Sequence, residues 1–185
     1  REFDSMRAKH EWVAVVGLSL GGALALTLAA TRDDIGALVA LAPYVAMPAR
    51  VRTLARTSRL WGPLLPYISS RGKGSIRDPV AASRALGHRL MTPAGLRAIA
   101  DVADHGNDSL GGVRTPTLVI QSRGDNRISQ QAAEEAFSRL GAADKRLVWT
   151  EGAGHVITVD FGKDRVFALT ADWLQGHYKS VAAGR

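Results

Sequence analysis

Residues 12–30 read WVAVVGLSLGGALALTLAA. The run is almost wholly apolar and follows Arg7 and Lys9, which is the outline of a signal peptide or a membrane span. Gly17, Ser19, Gly21 and Gly22 stand in its middle, and that punctuation divides it into a strand, a tight turn and a buried helix. Residues 13–18 are apolar and rich in valine, as in a parallel strand covered on both faces. A helix follows from about 21 to 30. Working outward, residues 35–41, 117–121 and 146–150 read as three further strands. Strands alternating with helices give an α/β fold, a parallel sheet flanked by helices.

Between the second and third strands lies a long excursion, residues 42–114. Its early part, Trp61-Gly-Pro-Leu-Leu-Pro-Tyr-Ile68, is apolar and twice broken by proline, and it reads as a cap over about 44–111. The best-signalled helix there has Thr92 as its N-cap and Pro93 at the first position, and is expected to stop before Gly106. Another helix is expected from Ser129 to Gly141. The last begins near Asp160, read as its N-cap, and places Val166, Thr170, Trp173, Leu174 and His177 on one stripe. The first residues, up to Lys9, form helical turns with Phe3 and Met6 inward, and the tail from Ser180 is expected to fray.

The composition narrows the function. The 185 residues are 46% hydrophobic and 22% charged, the makeup of one globular domain over 1–185 with a core of its own. With no cysteine there is no disulfide framework, thiolate metal site or cysteine nucleophile. The formal charge of +7 comes largely from arginines between Arg50 and Arg97. No nucleic-acid-binding module accompanies them, so the excess reads as a solvated basic face and not as a nucleic-acid site.

Gly17-Leu-Ser19-Leu-Gly21 fits G-x-S-x-G at a strand-to-helix junction, the context of a nucleophile elbow. The turn is strained, glycines on either side avoid collisions, and Gly22 lets the helix approach the strand. The Leu20 backbone N–H, at a helix N-terminus, can point at a developing oxyanion. A plain glycine-rich turn is the alternative. What favours chemistry is the order of the pieces: serine, then acid, then histidine. Asp125 follows the third strand in QSRGDNRIS, at the carboxyl end where α/β sheets place functional side chains, although Asn126 is equally a turn former. His155 follows the fourth strand in EGAGHVITVD, and an imidazole of ordinary pKa, about 6.5, can take a proton from a hydroxyl and return it. His10, His88, His105 and His177 lie outside such a loop. Glu151 and Asp160 are rival acids near His155.

Together GLSLGG, TPTLVIQSRGDNRIS and EGAGHVITVD resemble the small bacterial carboxylesterases and thermostable monoacylglycerol lipases of the α/β-hydrolase superfamily, over nearly the whole chain. The resemblance implies an α/β-hydrolase fold with a helical cap insertion. It also implies a catalytic triad of Ser19, Asp125 and His155, the Leu20 N–H as one oxyanion donor, and a small ester or lipid-like substrate with no metal or cofactor. Trp61, Leu64, Leu65 and Ile68 are candidates to line an acyl site or, equally, to cover the core.

The family pattern also has strands before the elbow, including a loop that supplies a second oxyanion donor, whereas this chain opens on Arg1-Glu-Phe-Asp-Ser-Met. Loss of one such donor costs about 3 to 4 kcal/mol of transition-state stabilisation. Strand 13–18 is then expected to be an exposed apolar edge that pairs with a second copy or with a separate N-terminal segment. A truncated, non-catalytic fragment or interaction module is the alternative to an active esterase.

Overall fold

The computed structural model describes residues 1–69, 74–86 and 90–183. The chain opens with helix α1 (Glu2–Arg7), strand β1 (Val15–Leu18), helix α2 (Leu20–Ala30) and strand β2 (Leu38–Leu41). The excursion then supplies α3 (Ala49–Trp61), β3 (Ile68–Ser69), α4 (Pro79–Arg84), β4 (Leu90–Met91) and α5 (Pro93–Ser109), closed by a 3-10 turn at Leu110–Gly112. Strand β5 (Thr117–Ser122), helix α6 (Gln130–Arg139), strand β6 (Lys145–Thr150) and helix α7 (Lys163–Ala183) complete it.

Four strands form one parallel sheet in the order β1-β2-β5-β6. Side chains alternate across it, as the two-residue period of a strand requires. Leu38, Ala40 and Val119 face a core shared with Leu26 and Ala29 of α2, Leu110 and Leu140. Val39, Leu41, Leu118 and Ile120 face the other way, onto Ile157, Val166 and the α7 side chains Leu169, Trp173 and Leu174. Helices thus cover both faces, which is why the strands lack polar alternation. β1 has β2 as its one strand partner among the described residues, and its Val16 is 46% exposed.

The cap is a smaller structure. α3 and α5 close on a cluster of Met47, Ala55, Leu96 and Ala100, with Trp61, Ile68 and Met91 at its margin. β3 and β4 pair antiparallel through Ile68–Met91 and Ser69–Leu90.

Helix starts follow their signals. Thr92 Oγ1 accepts from Gly95 N at 3.0 Å, and Ser129 Oγ accepts from Ala132 N at 3.2 Å. Four expectations need correction. α5 does not stop before Gly106, because that glycine is where α5 lies on α2; a Cβ there would sit 2.9 Å from the Cβ of Ala23. α7 begins at Lys163, and Asp160 does not cap it, since its carboxylate is bonded elsewhere. The helix also carries on past Ser180 to Ala183. Met6 is 47% exposed while Phe3 packs against the core beneath Arg32, so of the two only Phe3 turns inward. His88 falls outside the described residues.

Candidate active site

Parallel strands in register bring their carboxyl ends to one rim: Leu18 lies beside Leu41, Leu41 beside Ile120, and Ile120 beside Val148. The chain leaves β1 through Ser19, whose φ of 54° and ψ of −117° are rare for any residue with a side chain. A Cβ at Gly17 would collide with the carbonyl of Gly21, so position 17 must be glycine. Position 21 faces open space, so no clash demands glycine there. The strain at Ser19 is offset by its backbone bonds. Its N–H donates to Leu41 O at 2.8 Å, and its carbonyl accepts from Gly22 N at 3.0 Å and Tyr44 N at 2.9 Å. Ala42, at the end of β2, is the other positive-φ residue with a side chain, at 43°, and its N–H donates to Ile120 O at 2.8 Å.

Ser19 is the residue before α2, yet its hydroxyl does not cap the helix. It lies 2.7 Å from Nε2 of His155, whose Nδ1 lies 2.8 Å from Oδ2 of Asp125. Because a carboxylate can only accept, Nδ1 carries the proton and Nε2 is left to accept from Ser19. The Asp125 side chain is fully buried and that of His155 nearly so. Burial pushes the Asp125 carboxyl upward. The bond and charge of His155 outweigh it, with the amides of Arg127 at 2.7 Å and Ile128 at 3.1 Å, and hold it below the ordinary carboxylate value. Buried Gln121 donates a further bond to Oδ2 at 2.7 Å.

Asp160 and Glu151 separate clearly. Glu151 is exposed and pairs with Arg123 at 3.0 Å. Asp160 is 2% exposed and accepts four backbone N–H bonds, from Gly154 at 2.7 Å and from Arg77, Asp78 and Phe161 at 2.8 Å each. Burial works against the charge here, but those amides hold the carboxyl below its ordinary value. Asp160 therefore fastens the loop that carries His155 to the segment of the cap just before α4. Residues 74–78 are tied down further by Ser75 O to Val156 N at 3.1 Å, Arg77 to Gly124 O at 2.9 Å and Asn126 to Gly74 O at 3.1 Å.

Ser19, Leu20 and His155 open onto a cavity of about 590 Å³. Its apolar wall comes from Met47, Val51 and Leu54 on one side of the cap and Met91, Leu96 and Ile99 on the other, and its polar wall includes Asn126 and Arg127. The Tyr44 ring stands edge-on to the His155 ring at 6.2 Å between centroids, and burial pushes its hydroxyl pKa up against the charges of Arg127 and Arg52. The Leu20 N–H is the first amide of α2, a position without an acceptor inside the helix.

Of the four proposed acyl-site residues, Ile68 alone lines this cavity. Trp61 packs at the margin of the cap cluster and donates its indole N–H to Leu54 O at 3.2 Å, while Leu64 (83% exposed) and Leu65 project into solvent. Sequence reading passed over Gln121, Tyr44, Arg127 and the α3 and α5 liners. The amphipathic spacing of Val51, Leu54 and Ala55, then of Leu96, Ile99 and Ala100, was the available signal for the helical wall. Among the described residues no three His, Asp or Glu side chains gather as a metal-binding group, and no helix is long and apolar enough to cross a membrane.

Comparison with known proteins agrees with this architecture. The chain is 28% identical over 167 residues to a carboxylesterase of Bacillus subtilis (strain 168), covering 90% of this chain and 65% of that one. It is 24% identical over 172 residues to a thermostable monoacylglycerol lipase of Bacillus sp. (strain H-257), covering 93% and 66%. The chain thus spans about two-thirds of the length of these curated relatives. In fold it superposes on the crystal structure of Paleococcus ferrophilus monoacylglycerol lipase with a TM-score of 0.78 at 24% identity, over 95% of this chain and 73% of that one. The family model described as serine aminopeptidase, S33 (Hydrolase_4) matches residues 2–161, from α1 through the elbow, the cap and both loops. On the strength of that match, this chain belongs to the serine aminopeptidase S33 family, with an α/β-hydrolase fold.

Proposed function

We propose that Ser19, His155 and Asp125 are the nucleophile, base and acid of a hydrolase that cleaves carboxylic esters through an acyl-enzyme, with residues 44–111 as the cap over the site. The observation that carries this reading is the unbroken chain of short contacts, Ser19 Oγ to His155 Nε2 at 2.7 Å and His155 Nδ1 to Asp125 Oδ2 at 2.8 Å, opening into the cavity beside a positive-φ serine.

In the first half-reaction Nε2 takes the hydroxyl proton as Oγ bonds to the ester carbonyl carbon, and the carbonyl oxygen becomes an oxyanion facing the Leu20 N–H. The C–O bond to the alcohol then breaks and the imidazolium returns its proton to the leaving oxygen. Water repeats the sequence on the acyl-enzyme, releasing the carboxylic acid and restoring Ser19. Asp125 holds the imidazole in the tautomer this requires and stabilises its protonated form. The names of the two curated relatives support ester chemistry. The wall of Met47, Val51, Leu54, Leu96 and Ile99 suits short- to medium-chain acyl groups or monoacylglycerols.

The test is hydrolysis of 4-nitrophenyl butyrate by the chain and by Ser19→Ala, with mass spectrometry after treatment with an alkyl fluorophosphonate. Turnover that falls by about four orders of magnitude in the variant, with a single adduct on Ser19, is expected. Folded protein that gives neither turnover nor adduct would overturn the reading.

A further inference from the structure

The cavity has a charge asymmetry that hydrolysis of a neutral ester does not explain. Among the described residues that line it, Arg127 is the one side chain with a fixed charge, and none is Asp or Glu. Two half-buried arginines elsewhere are matched by acids, Arg32 with Asp4 and Asp34 and Arg52 with Asp104, whereas Arg127 is exposed at the mouth of the cavity. Arg127 enters no ion pair among the described residues, although it sits two residues from the fully buried carboxylate of Asp125. That carboxylate takes the backbone N–H of Arg127 and leaves the guanidinium to the cavity.

The guanidinium is also aimed. Its Nε donates to Ser75 Oγ at 2.8 Å, in the cap segment before α4 that Asp160 clamps, which leaves the two terminal nitrogens as a planar fork. The nearness of its charge to the reacting groups shows in a second effect: among the charges acting on the Tyr44 hydroxyl, that of Arg127 is the largest. Tyr44 stands against His155. Arg52, the other cation felt there, is paired with Asp104 at 2.8 Å.

We propose that Arg127 forms an anion subsite of the cavity, and that the preferred substrates are esters carrying a free carboxylate, such as half-esters of dicarboxylic acids. The alkyl part lies along Val51, Leu54, Leu96 and Ile99, and the free carboxylate meets the Arg127 fork in a two-point contact. This rests on the ester-hydrolase reading above for the word substrate, but the anion subsite stands on the binding measurement alone. The contact is at an exposed mouth, so its expected size is that of an exposed ion pair, about fivefold in affinity, weakening with salt.

The experiment is a ligand-observed NMR titration of the Ser19→Ala chain, where turnover does not interfere, with monoethyl glutarate, diethyl glutarate and inorganic phosphate. Monoethyl glutarate is expected to bind about fivefold more tightly than the diester, with the preference removed by Arg127→Gln and partly kept by Arg127→Lys. Equal binding of the two esters, or a preference that survives Arg127→Gln, would overturn the subsite. Inorganic phosphate displacing the half-ester at equal concentration would overturn its assignment to carboxylate esters, leaving an unselective anion contact. In the Ser19 protein, the ratio of kcat/KM for mono-4-nitrophenyl glutarate to that for 4-nitrophenyl butyrate should fall by a similar factor in Arg127→Gln. Absence of any turnover would count against the hydrolase reading alone, because the titration decides the subsite without it.

Discussion

The loops at the carboxyl ends of β5 and β6 and the cap helices α3 and α5 above them are held by different forces. In the loops each polar group is fixed by several partners: Asp125 has four hydrogen bonds, from His155, Gln121, Arg127 and Ile128, and Asp160 has four from backbone amides. α3 and α5 close on a small apolar cluster around Met47, Ala55, Leu96 and Ala100, and Leu60, Leu64, Leu65 and Tyr67 nearby are left in water. Directional bonds to backbone fix a position to a fraction of an ångström. A small patch of apolar contacts does not. The groups proposed to move protons stand on the first kind of support, and the wall that would select an acyl chain stands on the second, where substitution can reshape it at little cost to the fold.

That contrast can be attacked directly. The largest effect is expected from Asp125→Asn, which keeps the shape but removes the charge that fixes the imidazole tautomer: kcat/KM for 4-nitrophenyl butyrate should drop by about a thousandfold or more, with folding retained by circular dichroism. A drop below tenfold would mean that the loop network is merely structural.

Asp160→Asn comes next. Replacing an acceptor of four amide bonds by a group with one oxygen should cost about 3 kcal/mol in urea unfolding. The sign with pH follows from the depressed carboxyl: its contribution is present above the ordinary unfolded value near 4 and is lost as pH falls through the lower folded value. The variant should therefore show a shallower loss of stability below pH 4 than the parent, and an unchanged acid limb would refute the clamp.

In the cap, Ile99→Trp should narrow the apolar wall and cut the decanoate-to-butyrate ratio of kcat/KM by about tenfold, while leaving Ser19 labelling by a small fluorophosphonate intact. Smallest of all, Leu64→Ser should change unfolding free energy by less than about 0.5 kcal/mol and leave the acyl-chain profile as it was. If Leu64→Ser shifted that profile as much as Ile99→Trp, the division between wall and exposed cap would be wrong.

The sheet, the elbow at Ser19 and the order of Ser19, Asp125 and His155 were legible because they depend on local rules. An apolar run interrupted by glycine can turn in few ways, and parallel strands deliver the residues after them to one rim. The same rules gave the caps at Thr92 and Ser129, whose partners lie three residues away. They failed wherever the partner was distant. Asp160 looks like a helix cap from its neighbours, yet it bonds Arg77 and Asp78, far earlier in the chain. Gly106 looks like a helix stop until Ala23 is seen against it. Trp61, Leu64 and Leu65 are as hydrophobic as Leu96 and Ile99, and nothing in their composition says which set faces the cavity. The sequence by itself determined the fold class and the three residues of the proposed chemistry, because these rest on short-range backbone geometry. Only the tertiary structure decided the cavity wall, the Asp160 clamp and the place of Arg127 on that wall, because each depends on which distant side chains share one small volume.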